Sequence, residues 1–147
     1  MENIHCLRLS IGIFFADYVK EIAHNVTAVY GELERNSPKH QEEGVEDDVI
    51  GKMMTSVAEA VAEEIDRLFS CIHRMNSNGC IQAWVDINCL SLALRPFLND
   101  KAKKHLEEAS KPLLELERPG DRETVKVCED HFKQTMAFHL NALNSLP

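Results

Sequence analysis

Two Glu-x-x-His patterns are the first candidates for chemistry, because this spacing places a carboxylate and an imidazole on one face of a helix. Glu2 with His5 and Glu21 with His24 have the form of the ligand pairs in ferritin-like di-iron bundles. Such a site needs the pairs on different helices, converging with further carboxylates. Both pairs here fall in one predicted helix, roughly 28 Å apart at about 1.5 Å per residue. We therefore expect neither pair to bind iron.

A second candidate is Cys128 with His131, which has the spacing of half a zinc site. The nearest candidates for the other half, Cys71 and His73, are i and i+2 and face different directions on a helix. A cysteine in a helix is usually a small core residue. The sequence therefore predicts no bound metal.

Patterns typical of enzymes are missing from the sequence. It contains no Gly-rich phosphate loop, nucleophile elbow or HExxH stretch. Asp66, Ser70 and His73 share one predicted helix, but nothing in their arrangement suggests a triad. We expect no catalytic residue and no cofactor, and we predict that the protein is not an enzyme.

Trp84, the single tryptophan, is the candidate for a binding residue. A tryptophan on an apolar helix is usually a packing residue of the core. Tryptophan is also enriched among the residues that dominate binding at protein interfaces. Both interpretations stay open, and Trp84 is the residue that we predict for a protein interface.

Composition limits the classes of protein that remain. A chain of 147 residues with 44% hydrophobic and 27% charged residues is typical of one globular domain. Its formal net charge of -8 argues against a nucleic-acid partner and against attraction to acidic lipids. The 5 cysteines form no CxxC pair, which favours reduced thiols in a cytoplasmic protein. We expect neither a signal peptide nor a transmembrane segment.

The candidate residues lie in segments whose apolar residues have helical periodicity. The first segment, residues 1–35, is predicted to form a long N-terminal helix. Its apolar residues recur in steps of three, four and four, and we interpret them as a core-packing stripe. Asn36-Ser37-Pro38 should stop this helix, and residues 36–48 should form an acidic linker. The stripe consists of Ile4, Leu7, Ile11, Phe15, Tyr18, Ile22, Val26, Val29 and Leu33.

A helical hairpin follows the linker. Residues 49–76 show one apolar stripe (Ile50, Met54, Val57, Val61, Ile65, Leu68, Ile72 and Met75), and Ser77-Asn78-Gly79 should form a tight connection. A connection this short predicts antiparallel neighbours. The next helix, about 80–95, is apolar on several sides, which is typical of the interior of a bundle. Pro96 should end or kink it.

Two further helices complete the prediction. Asn99 should cap a helix over about 101–117 that Pro112 interrupts, and Asp121 should cap one that runs towards Asn144. Residues 49–147 should then form a C-terminal bundle that packs with residues 1–35 as one domain. The predicted fold class is all-α, an antiparallel helical bundle of about five helices. The predicted stripe of the last helix is Val125, Cys128, Phe132, Met136, Leu140 and Leu143.

The hairpin resembles the C-terminal region of the exocyst complex component 2 family of vesicle-tethering subunits. The resemblance covers about residues 48–145 and weakens towards the end. It rests on residue types and spacing along helices, which are more specific than a general amphipathic pattern. The residues that carry it are Glu63–Cys71, Ser77–Gly79, Gln82-Ala83, Asp86-Ile87 and Leu90, and more loosely Phe97-Leu98, residues 101–117 and residues 131–143.

This resemblance implies a segment of a helical rod that tethers secretory vesicles to the plasma membrane in exocytosis. The implied partners are other exocyst subunits, and the implied location is cytoplasmic, peripheral at the plasma membrane or secretory vesicles. The family's amino-terminal module, which binds the Ral GTPase, has no match here, so we do not expect Ral binding. The chain is then the carboxyl-terminal end of such a subunit or a truncated relative. The alternative hypothesis is a standalone helical-bundle adaptor or ligand-binding protein unrelated to trafficking.

Overall fold

The computed structural model describes residues 17–36, 49–72 and 76–144. These residues form six α-helices, with a short 3-10 helix at Arg95–Phe97, and they contain no strand. The predicted all-α fold is confirmed. The α-helices are α1 (Asp17–Asn36), α2 (Val49–Ser70), α3 (Ser77–Leu94), α4 (Asp100–Glu115), α5 (Asp121–Thr135) and α6 (Ala137–Asn144).

Helix α3 lies at the centre of the bundle, because its sequence is apolar around most of its circumference. It packs against α1, α4 and α5. A helix without a continuous polar face cannot lie on a surface without exposing apolar area to water. Its buried residues are Cys80, Ile81, Ala83, Trp84, Val85, Asp86, Ile87, Cys89, Leu90, Ala93 and Leu94.

Helices α1 and α2 are antiparallel neighbours. Near the start of α1, Tyr18 and Ile22 line a groove with Ile65 and Leu68 from the end of α2. Residues from the later part of α1 share a second hydrophobic cluster with Met54 from the start of α2. Helix α4 packs on α2 as well, where polar side-chain contacts join Asn99 to Glu59 and His105 to Asp66.

The predicted connection at Ser77-Asn78-Gly79 is wrong by several residues. Helix α2 ends at Ser70, and α3 already begins at Ser77. The Asn76 backbone is extended, and its side-chain oxygen accepts a 2.7 Å hydrogen bond from the Gly79 amide. Asn76 therefore caps α3, and the three residues after it form the first helical turn. Residues 73–75 lie outside the described part of the chain.

The two prolines behave differently. Helix α3 ends at Leu94 and the 3-10 helix that follows contains Pro96, which confirms the predicted stop. We predicted a break or a kink at Pro112; helix α4 runs through it to Glu115, so a break is wrong, and a kink stays a prediction. Pro112 lies in the last turn, and both it and Glu108, whose carbonyl loses its amide donor, are exposed to water. The asparagine cap of α4 is confirmed, since the Asn99 side chain accepts from the Ala102 amide.

The predicted last helix is divided in two at Met136. Helix α5 ends at Thr135, and α6 begins at Ala137. Asp121 does not cap α5 as predicted, because its carboxylate accepts a 2.8 Å hydrogen bond from the Arg118 amide. Gly120 occupies the cap position with φ of 88°, which a glycine adopts without strain. All six residues of the predicted stripe are nevertheless buried: Val125, Cys128, Phe132, Met136, Leu140 and Leu143.

The N-terminal predictions are covered only in part. Helix α1 ends at Asn36, where a stop was predicted, but residues 1–16 and 37–48 lie outside the described residues. The predicted long helix over 1–35, the acidic linker at 36–48 and their assembly with 49–147 into one domain stay predictions. None of the helices in the described part of the chain is both long and apolar enough to cross a membrane.

Candidate functional site

The described residues form an apolar groove between α1 and α2. It encloses about 500 Å³, and Glu64 is the single charged residue among those that line it. We call this feature the α1–α2 groove. It is lined by Tyr18, Ile22, Ala60, Val61, Glu64, Ile65, Leu68 and Phe69.

The groove exists because the apolar residues of α1 occupy a wider part of the helix circumference than the bundle core covers. Val19, Ala23 and Val26 face the core and are buried. Tyr18 and Val29 belong to the predicted stripe, yet they are 37% and 42% exposed. Because an α-helix has about 3.6 residues per turn, Tyr18 and Val29 lie on one face of α1, next to the face that carries the buried residues. The predicted stripe of α1 therefore lies partly in the core and partly at the surface.

Helix α2 shows the same division. Met54, Ala58, Ala62 and Ile65 are buried against the core. Leu68, in the last turn, is 45% exposed and lines the groove. The exposed part of the apolar stripe of α2 therefore forms one wall of the groove, and Tyr18 and Ile22 of α1 form the other.

A partly buried hydrogen-bond network at the groove wall joins α1 to α3. Asp86, on the central helix, is 4% exposed, and its Oδ2 accepts a 2.9 Å hydrogen bond from the Tyr18 hydroxyl. Its Oδ1 accepts a 2.9 Å hydrogen bond from the Gln82 side-chain amide. Burial, and then the charge of Asp86, raises the pKa of Tyr18 above its ordinary value. The phenol therefore stays protonated and serves as a donor that holds α1 to α3.

Trp84 lies in the core at 8% exposure. The Arg122 guanidinium lies 5.8 Å from the centre of its ring, and Arg122 also pairs with Glu117 on the surface. The packing interpretation of Trp84 agrees with this position. Its role at a protein interface stays a prediction.

The residues considered for metal binding do not assemble into a site in the described part of the chain. Across residues 17–36, 49–72 and 76–144, no three His, Cys, Asp or Glu side chains come together in a way that could hold a metal. Cys128 is buried and Cys71 is exposed, while Glu2, His5 and His73 lie outside the described residues.

Two histidines meet where α1 contacts α6. The rings of His24 and His139 are 4.1 Å apart between centroids and meet edge to face. Partial burial, and then the neighbouring His24, lowers the pKa of His139. The pair is a polar contact between two helices, and it was not found from the sequence because the two residues are far apart along the chain.

Neither the groove nor the Tyr18–Asp86 contact was predicted from the sequence. The sequence did contain a signal for the groove. The apolar residues of α1 occupy a wider part of its circumference than one neighbouring helix can cover. For Asp86, a single acidic residue on an otherwise apolar helix was the available signal, since such a residue needs hydrogen-bond donors nearby.

Comparison with known proteins gives the chain a family. The model of the family described as Exocyst complex component Sec5 matches residues 15–138, which include the whole groove and the Tyr18–Asp86 contact. Exocyst complex component 2 of Homo sapiens is 26% identical over 129 residues, covering 88% of this chain and 13% of the relative. The Drosophila melanogaster protein of the same name is 33% identical over 92 residues, covering 63% of this chain and 9% of the relative.

A third relative, Exocyst complex component 2 of Mus musculus, is 25% identical over 129 residues, covering 88% of this chain and 13% of the relative. No solved structure gives a significant match. The chain thus spans only about 13% of the length of the longest-matching relatives. Because the family model covers most of the chain, the chain belongs to the Exocyst complex component Sec5 family.

Proposed function

We propose that this chain is a non-catalytic scaffold segment of an exocyst complex, which tethers secretory vesicles to the plasma membrane in exocytosis. The match of the Exocyst complex component Sec5 model to residues 15–138 is the observation that carries the proposal. The all-helical bundle supports it, since stacked bundles of this kind can form a segment of a rod. The partners are then other exocyst subunits, and the place of action is cytoplasmic, at the plasma membrane or on secretory vesicles.

The structural contribution of such a segment is a rigid surface. Helix α3 packs against several neighbours, and the partly buried Tyr18–Asp86 hydrogen bond ties α1 to it. In the described part of the chain the apolar α1–α2 groove is open at the surface, where burial of apolar area against a partner is favourable. Subunit contacts through helices require nothing beyond this shape and these side chains.

A co-purification experiment tests the proposal. The tagged 147-residue chain is expressed in cultured cells, and the recovered proteins are quantified by mass spectrometry against a tag-only sample. We expect other exocyst subunits to be enriched. The matched control is Leu90→Asp, which places a charge at a core position and should abolish folding and enrichment together.

The alternative, a standalone helical-bundle adaptor or ligand-binding protein, makes the opposite prediction. A folded chain that recovers no exocyst subunit would contradict the proposal and favour the adaptor. We also propose that this chain does not bind Ral by itself. A pull-down with Ral loaded with a GTP analogue tests this, and direct nucleotide-dependent binding would contradict it.

A further inference from the structure

We propose that the α1–α2 groove is the docking site for an amphipathic helix of another exocyst subunit, with apolar residues on one face and Lys or Arg at its flanks. The inference rests on the proposed function for the identity of the complex. It goes further by naming the surface used and the chemistry of the segment that binds there.

The first argument is the apolar area that residues 17–36, 49–72 and 76–144 leave exposed in the groove. Tyr18 and Leu68 are 37% and 45% exposed on opposite walls of the groove, and Ile22 and Val61 lie between them. Two nearly antiparallel helices with apolar residues along their shared edge form the kind of groove into which the apolar face of a third helix packs. Anchors at i, i+3 or i+4, and i+7 on the bound helix would meet both walls.

The second argument is the charge of the rim. Glu64 lies in the groove wall, Glu63 is one turn from the lining residue Ala60, and Glu21 is one turn from Tyr18. Arg67 is already paired with Glu64, with a shortest distance of 2.5 Å. The Glu64–Arg67 pair carries no net charge, so the acidic charge of the rim comes from Glu21 and Glu63, and it favours a partner with basic flanks.

The same rim argues against two other occupants. A second copy of this chain would bring its own acidic rim and the same net charge of -8, so that like charges would face each other. An acidic membrane surface would be repelled for the same reason. A basic amphipathic helix satisfies both the apolar walls and the acidic rim.

Leu68→Glu tests the apolar wall, and Leu114→Glu is its matched control. Leu114 lies on α4, outside the groove, and is 42% exposed, close to the 45% of Leu68. We expect Leu68→Glu to reduce recovery of the contacting subunit by about tenfold or more, the effect of losing an interface anchor. Leu114→Glu should leave recovery unchanged, and circular dichroism should show similar melting for both variants.

Charge reversal at the rim provides an independent test. The double variant Glu21→Lys/Glu63→Lys should weaken recovery by about threefold to tenfold, and more strongly at low salt. The matched control is Glu115→Lys/Glu123→Lys, which makes the same change in net charge on α4 and α5 at exposed positions. If both double variants reduced recovery of the contacting subunit equally, the inference would be overturned, because binding would then depend on net charge alone.

A photo-crosslinking residue, p-benzoylphenylalanine, placed at position 68 of the full chain identifies the occupant. The expected product joins position 68 to an amphipathic segment with basic flanks in another exocyst subunit, and the same residue at position 114 should not give it. A product within this chain or with a second copy would overturn the inference. Recovery of exocyst subunits that survives Leu68→Glu would overturn the groove while leaving the proposed function intact. If the wild-type chain recovers no subunit, the proposed function itself fails.

Discussion

At the scale of single residues, Asp86 is the most demanding position in the core. A buried carboxylate without hydrogen bonds is strongly destabilising, so its two oxygens need donors. Tyr18 supplies one from α1, and Gln82 supplies another from one turn earlier on α3. Of these two donors, the one from Tyr18 links two helices, which makes this hydroxyl important for the position of α1.

Removal of that hydroxyl is the first prediction. Tyr18→Phe keeps the ring but deletes the hydrogen bond to the Asp86 carboxylate. We expect the free energy of unfolding to fall by about 1.5–3 kcal/mol, the usual contribution of a hydrogen bond to a charged group. Urea unfolding followed by circular dichroism measures this. In a double-mutant cycle with Asp86→Asn, additive losses would contradict direct coupling.

The His24–His139 contact gives a prediction about pH. The pKa of His139 is lowered in the folded state, so the unfolded state binds more protons as the pH falls below about 6.5. The contribution of His139 to stability is present above that pH and is lost as the pH falls towards the lowered folded-state value. We expect His139→Gln to flatten the decrease in unfolding free energy between about pH 7 and pH 5.5. An unchanged pH profile would contradict this assignment.

A ring titration by NMR supplies the control for that experiment. His24→Gln removes the neighbouring imidazole but leaves His139 partly buried. The pKa of His139 should then rise towards its ordinary value without reaching it, because burial is the larger cause of the shift.

At the scale of helices, the sequence predicts which face of a helix is buried better than it predicts where the helix begins or ends. The stripe from Val125 to Leu143 was identified correctly although α5 and α6 are separate helices, because burial depends on periodicity and both helices keep the same face towards the core. The start of α3 was placed too late. Asn76 and Asn78 are both suitable for a helix terminus, and only the geometry of the chain shows that Asn76 is the cap.

This difference between the two asparagines can be measured. Asn76→Ala removes the side chain that accepts from the Gly79 amide, and it should destabilise the protein by about 0.5–2 kcal/mol. Asn78→Ala changes an exposed position in the first turn of α3 and should alter stability by less than about 0.5 kcal/mol. Thermal unfolding of both variants gives the comparison. A larger loss for Asn78→Ala would restore the connection at Ser77–Gly79.

At the scale of the whole molecule, we expect substitutions in the core to lower stability, and substitutions in the groove to weaken binding without lowering stability. Leu90 is fully buried in the main cluster, whereas Leu68 lies at the surface. We expect Leu90→Ala to cost about 2–5 kcal/mol, and Leu68→Ala to change stability by less than about 0.5 kcal/mol. Denaturant unfolding of the two variants tests this. If Leu68→Ala lowered the free energy of unfolding as much as Leu90→Ala, the groove wall would be needed for folding.

The same distinction explains what the sequence could predict about the candidate site. Periodicity shows which residues of α1 share a face, but it does not show how many neighbours cover that face. Tyr18 and Val29 were therefore assigned to the core, and the structure leaves both more than a third exposed. The iron site was rejected because both Glu-x-x-His pairs fall in one predicted helix, and the zinc site was rejected because Cys71 and His73 face different directions.

The hydrogen bond between Tyr18 and Asp86 also sets the register of α1. If α1 slid by one helical turn, about 5.4 Å, Ile22 would replace Tyr18 opposite the carboxylate and leave it without that donor. Small sliding steps are a common way in which packed helices adapt to a partner. The loss of this hydrogen bond opposes such a movement of α1, so we expect the groove to keep its shape when a partner binds and to discriminate between helices by the spacing of their apolar residues.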